Sequence, residues 1–207
     1  MEKTATSRAT LGRLPRYLQF LKELPAEQNH ISATNIAKAL HLGEVQVRKD
    51  LGSVSDQGKP RVGYVTGELI ASLERCLGGG ELTEAVLVGA GRLGRALLEY
   101  EEFEHYGVRI AAAFDCNTTP IRVSRDIEIL PMQAFSDYCR QHRVRIGIIT
   151  VGRGSAQEVC DQMVRSGVTA IWNFAPCSLT APPGVLIKQE NLALSLAHLN
   201  SQMRNAN

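Results

Sequence analysis

The stretch VLVGAGRLGRALLEY, Val86 to Tyr100, constrains the fold more than any other part of this chain. Gly89, Gly91 and Gly94 form G-x-G-x-x-G between a strand-like apolar run and a helix-like run, and Asp115 closes the next strand-like run, RIAAAFD. The flanking elements give the glycine pattern its meaning. Gly89 permits a tight turn, Gly91 lets backbone approach a pyrophosphate, and Gly94 lets helix and strand pack closely. Backbone amides of the same turn, which also holds Ala90, Arg92 and Leu93, would hold the phosphates at a helix N-terminus. Asp115 can accept hydrogen bonds from both ribose hydroxyls and repels a 2′-phosphate. The CNTT that follows offers no arginine for that phosphate, so NAD(H) is expected over NADP(H).

Around this turn, strands and helices alternate. EAVLVGA, RIAAAFD, RIGIITV, VTAIWNF and GVLIK read as strands, and GRLGRALLEYEEF, MQAFSDYCRQH and SAQEVCDQMVRSG as helices. The last of these helices opens on an apparent capping box from Ser155 to Glu158. Alternation of this kind predicts an α/β fold with a parallel sheet covered on both faces. Ligands of such sheets sit at the carboxyl ends of the strands. The loops TVGRG, with Thr150 and Val151, and NFAPC, with Asn173, Phe174, Ala175 and Pro176, therefore join the expected cofactor site. A tail helix, ENLALSLAHLNSQM, carries an apolar stripe of Leu192, Leu196, Leu199 and Met203.

The catalytic apparatus of a hydride-transfer enzyme is missing from this pattern. Such an enzyme needs a substrate site and a positioned proton donor. After Asp115 the sheet uses most of the remaining chain, the five histidines are scattered, and no Ser-x-x-x-Lys or Tyr-x-x-x-Lys pair lies near the turn. No catalytic residue is assigned, and binding without turnover is expected. The five cysteines, Cys76, Cys116, Cys139, Cys160 and Cys177, form no C-x-x-C pair and have no histidine at ligand spacing, which argues against both a zinc site and a disulfide framework. No run of eighteen apolar residues exists, and MEKTATSRATLGR lacks the apolar core of a secretion signal, so a cytoplasmic location is expected.

The net charge of +2 is too small to demand a nucleic-acid partner, but the whole excess lies before Glu84. That region reads as mostly helical. RLPRYLQFLKEL is one helix, with Pro15 in its first turn. NIAKALHLGEVQVRKDLGSV has the shape of a helix-turn-helix, spanning about residues 17–56 with the helix before it. Ser32 is the expected N-cap, Ala37 the small residue between helices, and Gly43 part of the turn. The second helix would present Gln46, Arg48 and Lys49, with Val45 and Leu51 facing the core and Val47 at its edge. Arginine suits guanine edges, glutamine adenine edges and lysine phosphates. GKPRVGY then reads as a wing of two strands around a turn, aiming Lys59 and Arg61 at DNA. The glycine run in CLGGGELTEA places a domain boundary near Glu81.

Taken together, QVRKDL, GKPRVGY, VGAGRLGRALLEYEEF, AAAFD and WNFAP resemble the redox-sensing transcriptional repressors of the Rex family over nearly the whole chain. The resemblance implies a winged-helix DNA-binding domain (1–81), a Rossmann-type NAD(H) domain (82–189) and a C-terminal helix (190–207) swapped onto the partner of a homodimer. It implies repression from a near-palindromic operator on double-stranded DNA, released by NADH while NAD+ competes. Arg48 and Lys49 match the family's DNA-contacting pair, and Tyr100 matches a switch tyrosine. The arginine and aspartate that accompany that tyrosine in some members are replaced by Gln19 and Asn191. Val54, Ser55 and Gln57 replace the usual Phe and Gly residues near the wing, and Gly152 stands where a proline is usual. Two other classes remain open on the residues alone: a small NAD-dependent oxidoreductase, and a DNA-binding protein whose Rossmann domain only dimerises. A thiol-based variant using Cys116 or Cys177 is a further possibility.

Overall fold

The computed structural model describes residues 6–60, 62–78, 82–117 and 127–205. The expected boundary residue Glu81 and the wing residue Arg61 lie outside them. The chain divides into two compact units, Met1–Leu82 and Thr83–Asn207.

The first unit runs α1 (Arg8–Leu11), α2 (Leu14–Lys22), β1 (His30–Ile31), α3 (Ala33–Ala39), α4 (Glu44–Val54), β2 (Tyr64–Val65) and α5 (Thr66–Cys76). In α2, Leu14, Tyr17, Leu18 and Leu21 repeat every three or four residues and are buried together. The Ser32 hydroxyl caps α3 by accepting the Asn35 N–H at 3.1 Å. Ala37 is buried, and Gly43 begins α4 in extended conformation.

The core face of α4 differs from expectation. Val47, Leu51 and Val54 are buried at i, i+4 and i+7, whereas Val45 is 78% exposed. Helical geometry puts Val45 on the opposite face once Val47 and Leu51 are inside. The wing also differs. Its expected strands reduce to a single antiparallel bridge between Lys59 and Gly63, and the chain after it pairs with the distant His30–Ile31 as β1–β2.

The second unit runs β3 (Thr83–Val88), α6 (Arg92–Leu98), α7 (Glu102–His105), β4 (Val108–Asp115), β5 (Ile129–Pro131), a 3-10 turn (Met132–Ala134), α8 (Phe135–Gln141), β6 (Ile146–Ile149), α9 (Arg153–Arg165), β7 (Ala170–Asn173), β8 (Leu186–Gln189) and α10 (Leu192–Asn205). Strands β3 to β8 form one parallel sheet in the order β5-β4-β3-β6-β7-β8. This is the doubly wound order in which strand direction of travel reverses beside the first strand, opening a crevice at the carboxyl ends of β3 and β6. Alternate residues of β3 supply the two cores. Val86 and Val88 pack with Phe114, Phe135 and Ile149, and Ala85 and Leu87 pack with Leu98, Ile110 and Ile148.

Two expectations on the helices are corrected. GRLGRALLEYEEF is not one helix: it breaks after Leu98 and resumes at Glu102. Glu99, Glu101, Glu102 and Glu104 would crowd the negative end of a continuous helix, which the helix dipole disfavours. The capping box is also absent. Helix α9 starts at Arg153 after an extended Gly152, two residues before Ser155, so Ser155 and Glu158 lie inside the helix.

Candidate functional site

At the carboxyl end of β3 the backbone turns at Gly89 with a φ of +107°, a conformation that favours glycine. A Cβ on Gly94 would run into the carbonyl oxygen of Gly89, so helix α6 can lie this close to the turn only because Gly94 has none. A Cβ on Gly91 would meet nothing within 4 Å; the space over it is open. Three contacts fix the turn from outside. The Thr150 hydroxyl donates to the Gly89 carbonyl at 2.7 Å, with the Val88 carbonyl at 3.1 Å. The Arg95 Nε donates to the Ala90 carbonyl at 2.8 Å. The Ala90 N–H donates to Asp115 Oδ2 at 2.6 Å. Asp115 Oδ1 accepts the Asn117 N–H at 2.8 Å, so both carboxylate oxygens are held at the rim.

These residues border a cavity of about 540 Å³, within the range of ligand pockets in general. Gly89, Gly91, Asp115, Thr150 and Val151 line it, as the sequence suggested. So do Met132, Ser155, Glu158 and Gln162, which sequence reasoning missed. The spacing of Ser155, Glu158, Val159 and Gln162 along one helical face was the available signal, and the capping-box reading obscured it.

The NFAPC loop leaves β7 at the carboxyl end of the sheet beside Thr150, the Phe174 N–H donating to the Ile149 carbonyl at 2.9 Å, but stands outside the lining of this cavity. Asn173 is fully buried; its Oδ1 accepts the Ala175 N–H at 3.0 Å and its Nδ2 donates to Gln189 Oε1 at 2.6 Å and to the Cys177 carbonyl at 3.0 Å. Phe174 packs against Trp172 at 4.5 Å, and none of Asn173 to Pro176 lines the cavity. Tyr100 is exposed, edge-on to Phe103. Gln19 donates to Glu23, the residue that ends its own helix, and Asn191 accepts the Leu194 N–H as the cap of α10. Among the described residues no group of three His, Cys, Asp or Glu is placed to hold a metal.

In the first unit, α4 exposes Gln46, Arg48 and Lys49 together, and the Lys59 turn stands beside Arg48 and Tyr64 around a second concavity. Arg48 forms an ion pair with Glu44 one turn earlier. The buried side of α4 is anchored by Asp50, which receives hydrogen bonds from Thr10, Arg13 and Tyr17.

The chain is 38% identical over 195 residues to the redox-sensing transcriptional repressor Rex of Clostridium beijerinckii, covering 93% of this chain and 92% of that protein. It is 37% identical to Rex of Porphyromonas gingivalis ATCC 33277 over 97% of this chain and 93% of that protein. This chain belongs to the Rex family. Solved Rex-family structures agree in fold. RSP in complex with beta-NAD+ and operator DNA superposes with a TM-score of 0.88 at 30% identity, over 98% of this chain and 94% of that one. RSP in complex with beta-NADH superposes with a TM-score of 0.87 over 98% of this chain and 96% of that one. Two family models divide the chain much as its contacts do. One, described as "Putative DNA-binding protein N-terminus", matches residues 5–52, and a CoA binding domain matches residues 81–177. The α/β Rossmann-type sheet joined to an N-terminal DNA-binding unit is therefore the shared Rex architecture.

Proposed function

We propose that this chain is a DNA-binding transcriptional repressor whose operator affinity follows the NADH/NAD+ balance. One observation carries the reading: the Asp115 carboxylate stands at the carboxyl end of β4, hydrogen-bonded to the glycine turn at Ala90, in a chain whose other unit presents a basic reading helix. The cavity suits an adenine dinucleotide. Gly91 leaves room for a pyrophosphate, the amides of Gly91 to Gly94 at the start of α6 face it, and Asp115, which takes the Ala90 N–H, holds the ribose diol while rejecting a 2′-phosphate. Asn173 shapes the NFAPC loop from within, and Phe174, Ala175 and Pro176 present that loop to the nicotinamide end. Asp115→Ala should weaken NADH and bring NADPH closer to it in affinity.

Gln46 and Arg48 read base edges, while Lys49, Lys59 and Arg61 contact the backbone of double-stranded DNA. A homodimer joined through α10 places two reading helices on a near-palindromic operator. NADH acts by population shift, favouring the dimer conformation whose helices no longer match the half-sites, and NAD+ competes for the same cavity. Tyr100, Gln19 and Asn191 occupy the family's switch positions as uncharged groups. The protein binds its dinucleotide as an effector, without turnover, and works in the cytoplasm. RSP, a Rex-family repressor, has been captured with each of these ligands, which supports the assignment. Operator binding measured at fixed salt should weaken on addition of NADH and recover with excess NAD+. An operator affinity indifferent to both would overturn the reading.

A further inference from the structure

We propose that Glu158 and Gln162 read the edge of the purine, so that this chain selects adenine dinucleotides over 6-oxopurine dinucleotides. The inference rests on the reading that NADH occupies the cavity.

Helix α9 spans Arg153–Arg165 and turns Ser155, Glu158, Val159 and Gln162 toward the cavity that Asp115 borders. Their spacing of i, i+3, i+4 and i+7 makes one continuous helical face. The neighbouring flank of the helix is tied down. Gln157 donates to Asp161 at 2.8 Å and to the Thr180 carbonyl at 2.9 Å, and accepts the Thr180 N–H at 3.0 Å. Glu158 and Gln162, by contrast, make no side-chain hydrogen bond or ion pair among the described residues. With the Ser155 hydroxyl at the start of the helix, they are the polar groups that this face leaves for a ligand, and they lie on its two later turns.

Apolar side chains stand beside them. Met132, Val151 and Val159 line the same space. A flat ring lodged among apolar side chains presents its polar edge to whatever borders them. Asp115, as the ribose acceptor, places the base on this side of the cavity rather than over the glycine turn. Adenine carries an exocyclic amine that donates and ring nitrogens that accept. A carboxylate only accepts, and a glutamine amide both donates and accepts, so the pair matches an adenine edge. A 6-oxopurine puts an acceptor where adenine has the amine, directly against the Glu158 carboxylate.

The test titrates the full-length protein with NADH and with reduced nicotinamide hypoxanthine dinucleotide, reading nicotinamide fluorescence. The parent should bind NADH about tenfold or more tightly than the hypoxanthine analogue, the discrimination expected of one well-placed polar pair. Glu158→Leu should weaken NADH and leave the analogue nearly unchanged, erasing the preference, whereas Gln162→Leu, whose amide can pair with either purine edge, should weaken both. Glu158 is solvent-exposed, so its replacement leaves the core intact. Equal affinities in the parent, or equal weakening of both ligands by Glu158→Leu, overturn the assignment while leaving the NADH reading in place. A parent that binds neither dinucleotide overturns the NADH reading and this assignment with it.

Discussion

Arg13 grips Asp50 at two points, 2.7 Å and 2.8 Å, across 37 residues of sequence. The Tyr17 hydroxyl adds a hydrogen bond at 2.8 Å and the Thr10 hydroxyl one at 3.1 Å. Asp50 sits on the buried side of α4 while its sequence neighbours Arg48 and Lys49 face solvent. Holding Asp50 therefore fixes the rotation of α4 about its own axis, and with it the direction of the residues assigned to the DNA. Four hydrogen bonds converge on this carboxylate, which is why a charge can remain inside a small helical unit.

The network should set the pH limits of the first unit. Burial by itself would raise the Asp50 pKa, but hydrogen bonds from Arg13, Tyr17 and Thr10 outweigh it and hold the group below the usual carboxylate range. Its contribution to stability is then complete above about pH 4 and lost as pH falls through the lower folded value. Burial and the Asp50 carboxylate push Tyr17 up to about 12. That contribution is complete below about pH 10 and lost as pH rises toward the folded pKa. Thermal melting against pH should show a plateau between these limits. Arg13→Met should lower the plateau by about 5 °C or more, because it strands a buried carboxylate. A variant that melts like the parent throughout would show that the ion pair contributes nothing.

Much of this fold was legible because local signals agreed. The glycine turn, the strand before it and Asp115 after it each imply the same geometry, and residues such as Gly94 and Thr150 carry it out. What escaped the sequence depends on contacts between distant segments. Nothing local marks His30–Ile31 as the partner of Tyr64–Val65, and an aspartate next to Arg48 and Lys49 reads as one more solvated charge rather than as the buried anchor of α4. Ser155 and Glu158 mimic a capping box because the same spacing serves both a helix start and a helical face. Only the position of Gly152 decides between them. The NFAPC loop was placed at the cavity by strand-end logic, yet the Asn173 side chain is spent on the Ala175 N–H, the Cys177 carbonyl and Gln189 of β8.

The two glycines near the pyrophosphate position should separate folding from binding. Gly94→Ala forces a Cβ onto the Gly89 carbonyl oxygen, so both the melting midpoint of the second unit and NADH affinity should fall. Gly91→Ala adds its Cβ in open space and at an ordinary φ of −71°, so stability should be preserved. NADH binding should nonetheless drop about tenfold or more, because the methyl group takes the room through which the backbone meets the phosphates. Calorimetry paired with NADH fluorescence checks both. Unchanged NADH affinity in Gly91→Ala would place the phosphates elsewhere.

On the reading helix, Arg48 and Lys49 should fail in different ways. Arg48→Ala should weaken operator binding about tenfold or more and relax preference at one base pair, while Lys49→Ala should weaken all sequences alike and reduce the salt slope by about one. The Glu44 ion pair adds a third expectation. An Arg48 that contacts DNA as proposed gives up Glu44 to do so, and Glu44→Gln should then raise operator affinity most at low salt. Electrophoretic shifts over a salt series and a panel of single-base operator variants distinguish the three. Identical salt slopes for the parent and Lys49→Ala would remove Lys49 from the phosphate contacts.

The tail helix supplies the last expectation. Leu192, Leu196, Leu199 and Met203 are each between 60% and 67% exposed on α10, and Leu194 adds 66%. Five large apolar side chains on fourteen residues are more than a solvated helix carries at no cost, and such patches mark surfaces that other protein covers. A second copy of the chain is the partner proposed above, because α10 follows directly on β8, the edge strand of the sheet. Leu196→Lys with Leu199→Lys should therefore shift the protein from dimer to monomer in sedimentation at micromolar concentration. The isolated second unit should keep its NADH-binding turn, since that turn is fixed by Thr150, Arg95 and Asp115 within one chain. Operator affinity should collapse, because a monomer can occupy only one half-site at a time and loses the gain from joining two. A double-lysine variant that sediments as a dimer and binds operator like the parent would assign dimerisation to another surface.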